Sequence, residues 1–177
     1  LFPTFPSRLR RTALAAALVL PAALLGGCSL VRGGGSCEDS GAARKALAAQ
    51  PVLSSPPAGA VDPANYRGAG TSTGCDDDSP GTAWLHADRV YAFTGTREEV
   101  VDHYTRTAAA QGWRSDPAAR PDAACWTRTA DGRHLVLAVD FQLGAWSPAP
   151  DPGQGIAYEV TVGSNAEGSA QDAGCAD

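Results

Sequence analysis

The chain has 177 residues, 19 of them acidic and 14 basic, for a net charge of −5 at neutral pH, and it holds five cysteines and no methionine. That balance argues against nucleic acid and anionic lipid headgroups as partners, because phosphate-rich surfaces are held through lysine and arginine. The length suits one domain with a core of its own, and the chain carries no internal repeat.

The first segment is a leader. Arg8, Arg10 and Arg11 form a positive patch, and Ala13 to Leu25 form an apolar run broken by Pro21. The run is shorter than the roughly 20 apolar residues a membrane span needs, and its layout is that of a secretory signal. It ends in Leu25-Gly26-Gly27-Cys28. These four residues resemble the lipobox of bacterial lipoprotein precursors: an aliphatic residue, two small residues that lie extended in a peptidase cleft, then the cysteine that becomes the mature N-terminus. The resemblance implies cleavage before Cys28, a diacylglyceryl thioether on its sulfur and an acyl group such as palmitate on the freed amine. Two or more acyl chains anchor a protein stably where one does so only marginally. Residues 1–27 are then the signal peptide, 28–36 the lipid anchor and flexible tether, and 37–177 a single extracytoplasmic domain on the outer face of the cell membrane. The tether, Ser29 to Ser36, spans about 16 Å, so the domain sits close to the bilayer. One lysine against thirteen arginines, with abundant Ala, Gly and Asp, is similar to the usage of small exported actinobacterial lipoproteins. None of the 19 acidic residues and three of the basic ones precede Cys28, so the remainder carries a net charge of −8.

With Cys28 assigned to lipid, Cys37, Cys75, Cys125 and Cys175 remain, an even number that reads as two disulfides in an exported chain. No CxxC occurs, which argues against a zinc cluster or a thioredoxin-like site. The favoured pairing is Cys75–Cys125 with Cys37–Cys175, on the expectation that the strands following Cys75 and Cys125 run the same way. Cys37–Cys75 with Cys125–Cys175 is the second choice.

In chain order, Asp39 to Gln50 predicts a short helix capped by Asp39 or Ser40 and stopped by Pro51. Pro51 to Gly74 is rich in Pro, Gly, Ser and Ala without periodicity and reads as an irregular excursion. Asp88 to Thr94 alternates as a strand. Thr96-Arg97-Glu98-Glu99 is a capping box. The helix it opens runs to Gln111, with Val100, Tyr104 and Ala108 facing inward and His103 outward. Gly112 ends it, and Trp113 folds back. Ala124 to Thr129 is a second strand, joined through the Asp131-Gly132 turn to a third, His134 to Phe141. Ile156 to Val162 is the fourth and clearest. The tail from Gly163 is polar and loose up to Cys175. Together these predict an α+β fold: an antiparallel sheet of about four strands on one main helix, plus a short N-terminal helix and two disulfides. A right-handed crossover that leaves the first two strands parallel is compatible with this order.

Chemistry-bearing patterns are sparse. There is no Gly-x-Ser-x-Gly elbow, Ser-x-x-Lys or His-Glu-x-x-His in the chain. In Asp76-Asp77-Asp78-Ser79-Pro80-Gly81, Asp76, Asp78 and Gly81 fit the first positions of an EF-hand calcium loop, but Pro80 stands at a ligand position, Ala87 stands where the bidentate Glu belongs and three adjacent carboxylates repel one another, so a solvated acidic turn is the simpler reading. No metal, cofactor or catalytic residue is assigned. Trp146, in the Pro/Gly-rich loop 142–155, is the candidate recognition residue, since aromatics are enriched at binding hot spots; folded back, it is instead a lid over the sheet edge. Trp84, Trp113 and Trp126 read as core. One sheet face is lined by small and polar residues, and His134, Asp140 and Glu159 on it complete the candidate binding set. The expectation is a non-enzymatic, lipid-anchored cell-envelope protein that binds another protein or an envelope component. The alternatives are a hydrolase of envelope polymers or a structural lipoprotein without a specific ligand.

Overall fold

The computed structural model describes residues 36–77, 81–116, 123–144, 146–170 and 175. The lipobox and leader lie outside the described residues, as do Asp78, Ser79 and Pro80 of the acidic turn. Helix α1 (Gly41–Ala48) and helix α2 (Arg97–Ala110) accompany six strands: β1 (Ser72–Asp76), β2 (Trp84–Phe93), β3 (Arg114–Ser115), β4 (Ala123–Ala130), β5 (Arg133–Asp140) and β6 (Ile156–Asn165). They form one sheet in the order β1-β2-β6-β5-β4-β3, and every neighbouring pair is antiparallel.

The expected sheet of about four strands is therefore corrected to six. β1 and β3 are the two edges, and each has a physical reason for being hard to read. β1 (Ser-Thr-Gly-Cys-Asp) buries no side chain fully, so it has no apolar alternation to betray it. β3 is two residues long and both are exposed. β2 starts four residues before the expected Asp88, and β6 continues to Asn165, through residues expected to be loose tail. The parallel crossover is also corrected. Helix α2 carries the chain from β2 to the far edge, and β6 then inserts between β2 and β5, so β2 and β4 run in opposite directions.

Alternation along the strands sorts the side chains into two faces. The first face gathers Leu85, Ala87 and Tyr91 of β2, Tyr158, Val160 and Val162 of β6, Leu135, Leu137 and Val139 of β5 and Trp126 of β4 into one core. Leu47 of α1, Val52 and Leu53 of the short turn after it, and Val100, Tyr104 and Ala108 of α2 close over that core. The capping box forms as read: the Glu99 amide donates to the Thr96 hydroxyl and the Thr96 amide donates to the Glu99 carboxylate at 2.8 Å. Gly112 takes a left-handed φ of 81°, and the Trp113 amide returns to the Ala108 carbonyl at 3.0 Å, which seats Trp113 in the core over α2's end. Arg128 then lies on the Trp113 ring at 4.5 Å and donates to the Gln111 carbonyl and Gln50 side chain. His103, expected outward, is half-buried: its Nε2 is 2.8 Å from the Ser55 carbonyl, and its ring packs edge-on against Tyr104.

The disulfides are Cys37–Cys75 and Cys125–Cys175, with Cα separations of 5.8 Å each. The pairing favoured from sequence required strands running the same way, and the antiparallel topology removes that premise. Cys75 instead sits on the first face at an edge strand, beside the chain leading into α1, whereas Cys125 sits on the opposite face.

Candidate functional site

Among the described residues, no helix covers the second sheet face. Reading across the strands, Ser72, Asp88, Thr161, Ala138 and Cys125 form one row, and Gly74, His86, Gly163, Val136 and Thr127 form the next. Val90, Glu159 and Asp140 make the row on the other side of Asp88. An apolar ridge crosses this face. Trp84 lies with its ring over Gly163, and it packs against Val136 and the Cys125–Cys175 bridge. The position is open only to glycine, since a Cβ at Gly163 would occupy the indole. Trp84 is thus not part of the main core, as its sequence context suggested, but divides the open face.

On the β2–β6 side of the ridge is an acidic bay. Asp88 is only 7% exposed. Its carboxylate accepts from the Thr161 hydroxyl at 2.9 Å and lies 2.5 Å from His86 Nδ1. The other ring nitrogen of His86 is 3.4 Å from Asp76. The ring lies against Gly74, where a Cβ would displace it. The hydrogen bond to Asp88 holds the His86 pKa above the ordinary histidine value; burial opposes this, and the charges of Asp88, Asp76 and Glu159 reinforce it. Glu159 is pushed above the usual carboxylate range, first by burial and then by the charges of Asp88 and Asp140, while the Trp146 indole and His86 pull it back.

Trp146 is half-buried and meets Tyr66 edge-on, with ring centroids 5.0 Å apart. Its loop is stapled to the segment around Tyr66. The Tyr66 hydroxyl donates to the Pro148 carbonyl at 2.6 Å, Asn65 Nδ2 donates to the Ala149 carbonyl, and the Asp151 amide donates to Asn65 Oδ1. Trp146, Tyr66, Asp62 and Val90 enclose only a small cleft. Trp146 therefore sits at the rim of the bay as a folded-back lid.

Of the four candidate binding residues, the structure brings Trp146, Asp140 and Glu159 together. His134 does not join them. It pairs with Thr129 near the opposite edge, beyond the ridge, and lines a groove with Arg114, Thr127 and Thr129. The sequence reading did not single out Asp88 or His86, and it set Thr161 on the open face without including it in the candidate set. Asp88 and His86 are two apart on β2 and so share a face, which was a usable signal, but Thr161 joins them only through the β2–β6 register. Arranged this way, a carboxylate orients an imidazole whose free nitrogen meets a second carboxylate rather than a hydroxyl or thiol. The bay can bind a positively charged or hydrogen-bond-donating group, and it can exchange a proton at His86. Among the described residues, no cluster of three or more His, Cys, Asp or Glu side chains is arranged to hold a metal ion. No protein-family model, curated protein or solved structure matches the chain.

Proposed function

We propose that this chain is a lipid-anchored cell-envelope protein, tethered through Cys28 to the outer face of the cell membrane, whose domain binds another envelope protein or component without catalysing a reaction. The observation that carries the anchor is Leu25-Gly26-Gly27-Cys28 at the end of an apolar leader. Two disulfides in the folded domain agree with an oxidising, extracytoplasmic setting. Support for binding comes from the asymmetry of the sheet: helices seal one face, while the other presents a polar bay rimmed by Trp146 and Tyr66. The like charges of Asp88, Asp140 and Glu159 favour a partner that presents positive charge.

The hydrolase reading has one observation in its favour, the His86–Asp88 hydrogen bond, which has the form of a base and its orienting carboxylate. Among the described residues, the group opposite His86 Nε2 is the Asp76 carboxylate and not a hydroxyl or thiol. Two measurements test the proposal. Cys28→Ala is expected to move the folded domain out of the membrane fraction, and retention with membranes would refute the anchor. A photo-crosslinker at position 146 is expected to capture an envelope component that the same group at Arg106, on α2, does not. Equal capture at both positions would refute the binding face, and turnover abolished by His86→Asn would replace binding with hydrolysis.

A further inference from the structure

The open face is bipolar. Arg114 and His86 occupy the same cross-strand row at its two ends, four strand spacings apart, which is about 19 Å at the usual inter-strand distance. That exceeds the Debye length of about 8 Å at physiological ionic strength, so the two ends act as separate electrostatic environments despite the net negative charge of the domain.

At the β3–β4 end is a groove of about 380 Å³ lined by Gly112, Arg114, Thr127, Arg128, Thr129 and His134, with no acidic residue in its wall. The strand register explains the convergence. Arg114 is paired with Thr127 and Thr129 with His134, and the two pairs are neighbours along β4, so all four side chains lie on the open face. Arg128 points to the other face, where Gln111, Gln50 and Trp113 immobilise it, and adds its positive charge beneath the groove. Arg114 forms no ion pair or side-chain hydrogen bond among the described residues, and neither does His134. A guanidinium, an imidazole and two hydroxyls, all able to donate and all unspent, surround one open space.

We infer that this groove binds a phosphate group. Arginine's planar fork matches a tetrahedral oxyanion through two parallel hydrogen bonds. The Thr127 and Thr129 hydroxyls can donate to its remaining oxygens, and His134 bounds the far side. This site lies across the Trp84 ridge from the acidic bay, and it does not depend on that bay binding anything. The phosphate can belong to a soluble or polymeric envelope component or to a lipid headgroup of the membrane the domain faces. The chemistry of the groove is the same in both cases.

The test uses the full chain in a non-ionic detergent at fixed ionic strength, titrated with inorganic phosphate and, separately, with micelles containing phosphatidylglycerol. Binding is followed by calorimetry and by the His134 ring resonances. Saturable binding of inorganic phosphate, weakened at least tenfold by Arg114→Gln and by the Thr127→Val/Thr129→Val pair but not by Arg106→Gln, supports the site with a soluble source. The same pattern with the doped micelles alone supports it with a headgroup source. Thermal melts of each variant separate lost binding from lost folding, and the exposed Arg114→Gln is the variant expected to melt as the parent does. The inference is overturned if neither probe saturates, if Arg114→Gln binds as tightly as the parent, or if chloride at matched concentration displaces phosphate equally well.

Discussion

The His86–Asp88–Thr161 cluster makes a pH-dependent prediction about stability. Asp88 is almost fully buried, and His86 retains 23% of its side-chain exposure, so their hydrogen bond is only partly screened by solvent. Asp88→Asn preserves the volume and leaves one oxygen to accept from Thr161, so the principal loss is the charge-assisted link to His86, about 1.5–3 kcal/mol for a hydrogen bond to a charged group. Asp88→Ala strands Thr161 as well and is expected to cost about 3–5 kcal/mol, the range for breaking a buried pair. The pH dependence has a definite sign. His86 has a folded-state pKa raised above its unfolded value, mainly by the Asp88 hydrogen bond. Its protonation therefore stabilises the fold fully below the unfolded value of about 6.5, and the contribution disappears as pH rises through the raised folded value. Urea denaturation of parent and Asp88→Asn at pH 5.5 and pH 9 is the assay. The stability gap is expected to be larger at pH 5.5, and His86→Asn should abolish the difference between the two pH values. A gap that is unchanged or wider at pH 9 would refute the reasoning.

Three further perturbations follow from the packing. The disulfides span 38 and 50 residues, for which restriction of the unfolded chain contributes about 4 kcal/mol each; peptide mapping should recover Cys37–Cys75 and Cys125–Cys175, and the Cys125→Ala/Cys175→Ala protein should lose stability of that order in denaturant melts. Tyr104 is fully buried, and its hydroxyl approaches that of Tyr158 without completing a well-formed hydrogen bond among the described residues, so Tyr104→Phe should change stability by less than about 1 kcal/mol while Tyr104→Ala costs about 3–5 kcal/mol; similar losses for both in thermal melts would show that the two hydroxyls are fully bonded to each other. Gly163→Ala drives a methyl group into the Trp84 ring and should cost about 1–3 kcal/mol, with a shift in tryptophan fluorescence; a melt and spectrum unchanged from the parent would place the ridge elsewhere.

The local elements were legible wherever one side of the chain faces water and the other faces the core. The Thr96–Glu99 box, the Val100, Tyr104, Ala108 stripe, the Gly112 stop and the alternation of β5 and β6 all depend on neighbours within a few residues, and periodicity records such contacts directly. The four cysteines that follow Cys28 likewise offered two bridges by count alone. Edge strands were not legible, because β1 and β3 bury too little on either side to leave an apolar signature. His103 was misread for a related reason. The helical stripe correctly places it away from the sheet, but the turn at Ser55 returns to cover it, and that contact spans 48 residues.

What the amino-acid order alone determined is thus the pattern of faces and caps and the availability of four cysteines for two bridges. Tertiary structure decided which strands are neighbours, and with that everything about the open face. The insertion of β6 between β2 and β5 places Thr161 against Asp88 and Glu159 against Asp140. It also rules out the parallel arrangement on which the favoured disulfide pairing rested, and it separates His134 from the residues it was grouped with. Register and strand order are set by contacts between residues far apart in the chain. Their stabilisation comes from area buried after the loops have closed, and no local stretch of sequence carries that term.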